Sequence, residues 1–148
     1  MLALYDDVVA EAQRALLEAL SSTEQEGPSR TRAAVDAFVR LVVNDPRKGR
    51  VLLMEPPEND ELRDRRRRAF DRFVEIVAGD IEQHPGQPTP GPLELAMSAR
   101  ALVGALTELL MARLRGEIRV PLDQLVDHAT KIVLTLTAPP PTPVHPSR

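Results

Sequence analysis

The most apolar part of the chain is Ala99-Arg100-Ala101-Leu102-Val103-Gly104-Ala105-Leu106-Thr107-Glu108-Leu109-Leu110-Met111-Ala112. A helix of this composition is apolar nearly all the way round, so it must be covered on both sides. One side can face the chain's own core, but a domain of 148 residues has little left to cover the other. The stretch therefore predicts a symmetric homodimer in which the last two helices of each chain form a four-helix bundle. The alternative is a monomeric bundle with this helix at its centre.

Prolines and glycines divide the chain into helical segments on either side of this stretch. Each segment has apolar residues three and four positions apart, which is the spacing of one helix face. No alternating strand pattern occurs, so the fold class is all-α. The six predicted helices span residues 1–22, 29–44, 46–54, 60–82, 92–115 and 121–137. Residues 83–92 are predicted to be a loop, residues 1–138 one domain and residues 139–148 a proline-rich disordered tail.

Several helix starts are predicted from residue type. Ser29 and Asp45 are expected N-caps, and either Asn59 or Asp60 is expected to cap the fourth helix. Pro46, Pro92 and Pro121 are expected at first helical positions, where the missing N–H costs nothing.

Composition narrows the class of protein. The net charge is −3, so the chain has no overall basic surface for direct binding of nucleic acid. There are no cysteines, no basic-then-apolar leader at the N-terminus and no uninterrupted apolar run near the ~20 residues that span a bilayer. A cytoplasmic location without membrane contact is therefore expected. The four side chains from Arg65 to Arg68 point in different directions around a helix, so they do not form one basic stripe. We interpret them as solvent-exposed residues whose aliphatic stems shield the core.

Catalytic and metal-binding patterns are missing from the sequence. The histidines His84, His128 and His145 lie in a loop, on the last helix and in the tail. No phosphate-binding glycine loop, zinc-protease motif or di-iron ligand pattern is present. Asp123 and Asp127 are better explained as a solvated helix face. We therefore predict no enzyme, no metal and no cofactor.

One face of the apolar helix carries Met97, Ala101, Gly104, Glu108 and Met111. Its small residues leave room for a partner helix or a cavity. A carboxylate in this setting needs a partner, which is either a ligand or an Arg across a helix interface. The predicted ligand-binding residues are Phe38, Val42, Phe70, Phe73, Val77, Met97, Arg100, Ala101, Gly104 and Glu108. The predicted dimer interface comprises Leu102, Leu106, Leu109, Leu110, Arg113, Leu122, Leu125, Val126, Ala129, Ile132, Val133 and Leu136.

The order and spacing of these pieces resemble the C-terminal, effector-binding half of TetR-type transcriptional regulators. Leu102-Val103-Gly104-Ala105-Leu106-Thr107-Glu108-Leu109-Leu110 resembles the first dimerisation helix of that family. The resemblance spans about residues 2–137. Softer matches are Leu2 to Val8, Asn44-Asp45-Pro46-Arg47, Asp60-Glu61-Leu62-Arg63 and Leu122 to Asp127. The resemblance implies a homodimer of six-helix chains that binds a small-molecule effector and thereby controls DNA binding. Repression is the commoner behaviour in that family.

The family's helix-turn-helix headpiece, which reads the major groove, has no counterpart in this sequence. A fragment, a gene start placed too late or a headless protein would each explain its absence. If the headpiece is elsewhere, an effector that prefers one conformation of the dimer shifts it away from the DNA-competent state. The alternative function is a stand-alone helical dimerisation or protein-interaction module without a ligand.

Overall fold

A computed structural model describes residues 2–21, 27–53, 59–84 and 90–137. Over these ranges the chain is all-helical, without strands, which confirms the predicted fold class. The elements are α1 (Leu2–Ser21), α2 (Pro28–Asn44), α3 (Pro46–Leu53), α4 (Asp60–Gln83), α5 (Pro92–Leu114) and α6 (Leu122–Thr137). The predicted tail and Met54, the expected last residue of the third helix, lie outside the described residues.

Two of the predicted N-caps are present. Asp45 Oδ1 accepts hydrogen bonds from the backbone N–H groups of Arg47 at 3.1 Å and Lys48 at 3.4 Å, at the start of α3. Asn59 Oδ1 accepts from the backbone N–H of Leu62 at 2.8 Å, so Asn59 is the cap of α4. Such bonds satisfy N–H groups that have no partner inside the helix.

The other predicted helix starts are partly corrected. Ser29 is not an N-cap, because Pro28 already occupies the first turn of α2 and Gly27, at φ +66°, precedes it. Pro92 is the first residue of α5, as predicted. Pro121 lies just before α6, and its carbonyl accepts from the N–H of Leu125 at 3.1 Å.

The core lies between α2 and the helices around it. α1 packs along α2, α2 packs along α6, and α4 packs along α5. The most deeply buried large side chains are Val39, Val42, Leu110 and Val126, none of which is more than 2% exposed. Burying a side chain of this type stabilises the fold by about 1.5–3 kcal/mol.

The outer face of α5 is not covered by the rest of the chain. Leu93 is 73% exposed and Met97 is 57% exposed, and Ala101 and Glu108 further along the same face are also exposed. We call this face, Leu93, Met97, Ala101, Gly104 and Glu108, the outer stripe. α5 therefore has an exposed, mostly apolar face on the side away from the core.

Among the described helices, α5 alone is long and apolar enough to cross a membrane, with a mean hydropathy of 1.4 over its most apolar 18 residues. This criterion considers length and composition only, and core helices of soluble proteins also meet it. Four charged residues, Glu94, Arg100, Glu108 and Arg113, interrupt the helix. The signal for a membrane span is accordingly weak.

Many of the residues predicted for the dimer interface are buried within the single chain. Five of them are at most 2% exposed in the single chain: Leu102, Leu110, Leu125, Val126 and Ala129. Most of the others are half-buried, while Leu136 is 39% exposed. The reason is the 3.6-residue period, which places Leu102 and Leu106 on the side of α5 opposite the outer stripe. The five buried side chains have almost no surface left for an interface between copies, while the half-buried residues and Leu136 remain predictions.

Candidate ligand cavity

A cavity of about 1040 Å³ lies among the helices. All six helices contribute side chains to its wall, and most of these side chains are apolar. Ligand pockets in proteins typically have volumes of about 300–1,000 Å³, so this space is large enough for a sizeable small molecule. The cavity is partly open to solvent, so a ligand can enter it from outside. Its depth among the helices is unusual because protein interiors are closely packed.

Aromatic rings from two helices form part of the apolar wall. The rings of Phe38 on α2 and Phe73 on α4 meet edge to face, with centroids 5.6 Å apart and planes at 72°. Phe70 and Val77 extend the same wall along α4. They lie three or four positions from Phe73, which places all three side chains on one face of the helix. This wall suits an aromatic or alkyl group.

One end of the cavity contains an ion pair. Arg30 Nη1 donates to Asp80 Oδ2 at 3.0 Å, and Arg30 Nη2 donates to Asp80 Oδ1 and to the Leu20 carbonyl, the latter at 2.7 Å. The side chains are only 11% and 21% exposed. His84 Nδ1 lies 3.5 Å from Asp80 Oδ1. The positive and negative charges at this end therefore largely cancel.

The other end of the cavity contains Arg66 and Tyr5. The Arg66 guanidinium carbon lies 5.9 Å from the centre of the Tyr5 ring. Arg66 Nε is buried and has no hydrogen-bond partner among the described residues, while its Nη2 donates to the Val51 carbonyl at a long 3.4 Å. Burial raises the pKa of the Tyr5 hydroxyl, and nearby Arg66 opposes this shift more weakly. Tyr5 is therefore a neutral donor at physiological pH.

Neighbouring Arg65 has a different environment. It donates to Asp6 of α1 and, at 3.1 Å, to Glu61 one turn earlier in α4. Its charge is therefore matched by two carboxylates on the protein surface. Arg66, the next residue, is turned by about 100° around the axis of α4 and lines the cavity, which Arg65 does not.

The structure brings four of the predicted ligand-binding residues together on the cavity wall: Phe38, Phe70, Phe73 and Val77. Val42 is instead part of the core, at 1% exposure. The five predicted residues on α5 do not line the cavity: Met97, Arg100, Ala101, Gly104 and Glu108. Within the chain, Arg100 pairs with Asp71 at 3.3 Å and Glu108 with Arg115 at 3.1 Å.

Several residues that line the cavity were not predicted from the sequence to bind a ligand: Arg30, Arg66, Asp80, Leu102, Leu106 and Thr107. A signal for Arg66 was present. It lies four positions after Leu62, three before Ala69 and four before Phe70, so it belongs to the apolar stripe of α4. The sequence analysis treated Arg65 to Arg68 as one group of exposed residues and so did not distinguish Arg66 from the others.

Metal ligands and relatives give no further indication of function. Within the described ranges, no group of three His, Asp or Glu side chains is placed to hold a metal ion. No protein-family model, curated protein or solved structure was found to match the chain. The cavity and the outer stripe of α5 are the features from which function has to be argued.

Proposed function

We propose that this chain is the ligand-sensing and dimerisation part of a TetR-like transcriptional regulator. The observation that carries the proposal is the large, mostly apolar cavity, partly open to solvent, to which all six helices contribute side chains. A protein whose helices serve only to dimerise has no need of such a space, because a filled core is more stable by the contacts that a void forgoes. The alternative of an interaction module without a ligand is therefore less well supported.

Binding in the cavity offers a route to regulation. α4 lines the cavity from Arg66 near its start to Asp80 near its end, and α1 contributes Tyr5 and Leu20. A ligand between these helices favours one spacing of α1 and α4 over another. In the proposed regulator, this differential affinity shifts the spacing of helix-turn-helix units attached to the domain and so changes DNA binding, most simply by relieving repression.

The outer stripe of α5 supports the proposed homodimer. In an antiparallel pair of α5 helices that cross at Gly104, Arg100 of one chain lies opposite Glu108 of the other, since each is four residues from Gly104. Gly104 has no atom of the rest of the chain within 4 Å of the position of a Cβ, so a second helix has room to approach there. Exposed Leu93 and Met97 become covered on pairing. A cytoplasmic location follows from this proposal.

Ligand binding is tested with a neutral fluorescent probe, N-phenyl-1-naphthylamine, whose emission rises in apolar surroundings. We expect saturable binding by the wild type and its loss in Val77→Trp, because Val77 lines the cavity and the larger ring fills it. Glu75→Trp is the matched control, since Glu75 is exposed two residues away and does not line the cavity. Equal binding by both variants, or none by the wild type, contradicts the proposal.

Dimerisation is tested by sedimentation equilibrium. The wild type is expected to be a dimer at micromolar concentration. Arg100→Glu and Glu108→Arg each place like charges opposite one another and should weaken it, whereas the double exchange Arg100→Glu/Glu108→Arg should restore it. A monomeric wild type refutes the dimer. Single variants that associate as strongly as the wild type refute this arrangement of α5.

A further inference from the structure

We propose that the cavity takes an elongated amphipathic anion, with its apolar body against the phenylalanine wall and its carboxylate on Arg66. This inference rests on the proposed ligand binding and names the chemical class of the ligand. It comes from three observations on the cavity wall, namely an Arg with no acidic partner in the part of the chain that the structure describes, the balance of charges around this Arg and the distance between the two polar ends of the cavity.

Arg66 is the first observation. Across the described residues, no carboxylate lies within 4.0 Å of its guanidinium, in contrast to Arg30 and Arg65. Its Nε is buried without a hydrogen-bond partner there. Arg66 as a whole is half-buried and its Nη2 donates to the Val51 carbonyl at 3.4 Å, so the missing acceptor is the one for the buried Nε. A buried N–H without an acceptor is costly, and a planar guanidinium matches the two oxygens of a carboxylate. A ligand carboxylate supplies the missing acceptor.

The charge balance is the second observation. Counting only the described residues, three arginines line the cavity, Arg30, Arg66 and Arg67, against two carboxylates, Asp80 and Glu94. Arg30 and Asp80 are bound to each other. Glu94 is exposed in the first turn of α5, which packs along α4 and begins nine residues after the last residue of α4. The end that holds Arg66 and Arg67 is therefore positive, so it attracts an anion and repels an ammonium group.

The separation of the two ends is the third observation. Arg66 and Asp80 are fourteen residues apart on the same α-helix, which corresponds to about 21 Å along its axis. Phe70, Phe73 and Val77 occupy the cavity wall between them. A compact anion such as phosphate would leave this apolar stretch empty. A molecule with an alkyl or fused aromatic body covers it while its carboxylate reaches Arg66.

The experiment compares three ligands with the same ten-carbon chain, namely decanoate, decan-1-ol and decylammonium, below their micellar concentrations. Each displaces the neutral probe N-phenyl-1-naphthylamine from the wild-type protein, and the displacement constants are compared. A charged hydrogen bond contributes about 1.5–3 kcal/mol, so decanoate should bind at least ~10-fold more tightly than decan-1-ol. Decylammonium should bind more weakly than both.

Variants of α4 assign the preference to a residue. Arg66→Met should reduce the advantage of decanoate over decan-1-ol to about 3-fold or less while decan-1-ol binds as before, and Arg66→Lys should retain part of it. Arg68→Met is the control, because Arg68 is exposed and does not line the cavity. Unchanged binding of decan-1-ol shows that the Arg66 variants remain folded.

The outcomes separate this inference from the proposed function. Failure of the probe to bind the wild type refutes ligand binding itself. Probe binding with equal competition by all three ligands leaves the proposed function standing and overturns the anion preference. A decanoate preference that persists in Arg66→Met overturns the assignment to Arg66.

Discussion

Arg30 in the first turn of α2 binds Asp80 in the last turn of α4 through both of its terminal nitrogens, fifty residues away along the chain. The same guanidinium donates to the carbonyl of Leu20 near the end of α1 at 2.7 Å. The hydrogen bonds to Asp80 raise the pKa of Arg30 further above its ordinary value, so it is charged at every accessible pH. One side chain thus joins the ends of three helices at one end of the cavity.

Removing the Asp80 charge should destabilise the protein. Asp80→Asn leaves Arg30 largely buried without its counter-ion, and we expect the free energy of unfolding in urea to fall by about 3 kcal/mol. The double variant Arg30→Leu/Asp80→Leu should lose less, because neither charge then remains. Arg72→Gln is a control on an exposed pair, with Glu75 at 3.1 Å, and should have little effect. If Asp80→Asn unfolds like the wild type, the ion pair has no structural importance.

Gly49 and Gly79 should respond oppositely to alanine. A Cβ on Gly49 would lie 2.6 Å from the Val42 carbonyl oxygen, which belongs to the backbone and cannot move aside. Gly49→Ala should therefore reduce the free energy of unfolding by about 1–3 kcal/mol by forcing α2 and α3 apart.

In the matched variant Gly79→Ala, near the end of α4, the added Cβ meets nothing within 4 Å, and stability should increase by about 0.5–1 kcal/mol. Thermal unfolding of both variants checks the contrast. A stabilising Gly49→Ala would show that α3 does not approach α2 this closely.

Asn59 should contribute to stability through its cap. Asn59→Ala removes the side-chain acceptor for the backbone N–H of Leu62, and the expected loss is about 1 kcal/mol in the free energy of unfolding. Asn44→Ala, at the exposed end of α2, provides the comparison and should change stability by less than about 0.5 kcal/mol. Similar losses in the two variants would contradict a specific capping role.

Tyr5 should titrate at unusually high pH. The chain has one tyrosine and no tryptophan, so absorbance at 295 nm reports Tyr5 directly. Burial raises the pKa of its hydroxyl above 10.0. Because the folded protein then holds the proton more tightly than the unfolded chain, this contribution to stability is complete below pH 10 and is lost as pH rises through the folded pKa.

The neighbouring Arg66 gives the titration a second test. Its positive charge lowers the pKa of Tyr5, so Arg66→Met should move the midpoint higher still. A midpoint at or below 10 in the wild type would contradict the burial of Tyr5, and a downward shift in Arg66→Met would contradict its closeness to Arg66.

The sequence was sufficient for the features that depend on nearby residues. The caps Asp45 and Asn59, the start of α5 at Pro92 and its end before Gly116 follow from backbone chemistry within a few positions. The all-helical class follows from the spacing of apolar residues. These are local properties. The predictions failed at Ser29, were one residue off at Pro121 and at the end of α5, and left the cap of α4 open between Asn59 and Asp60.

Only the tertiary structure decided which face of α5 is buried. A helix that is apolar nearly all the way round has no polar side to mark the solvent, so its pattern could not tell Leu102, which is buried, from Met97, which is exposed. The cavity and the ion pair of Arg30 with Asp80 likewise depend on how helices distant in sequence pack together. The residues next to Arg30 and Asp80 in the sequence do not indicate that the two will pair. Local chemistry determined the helices of this protein, and packing between them determined its candidate site.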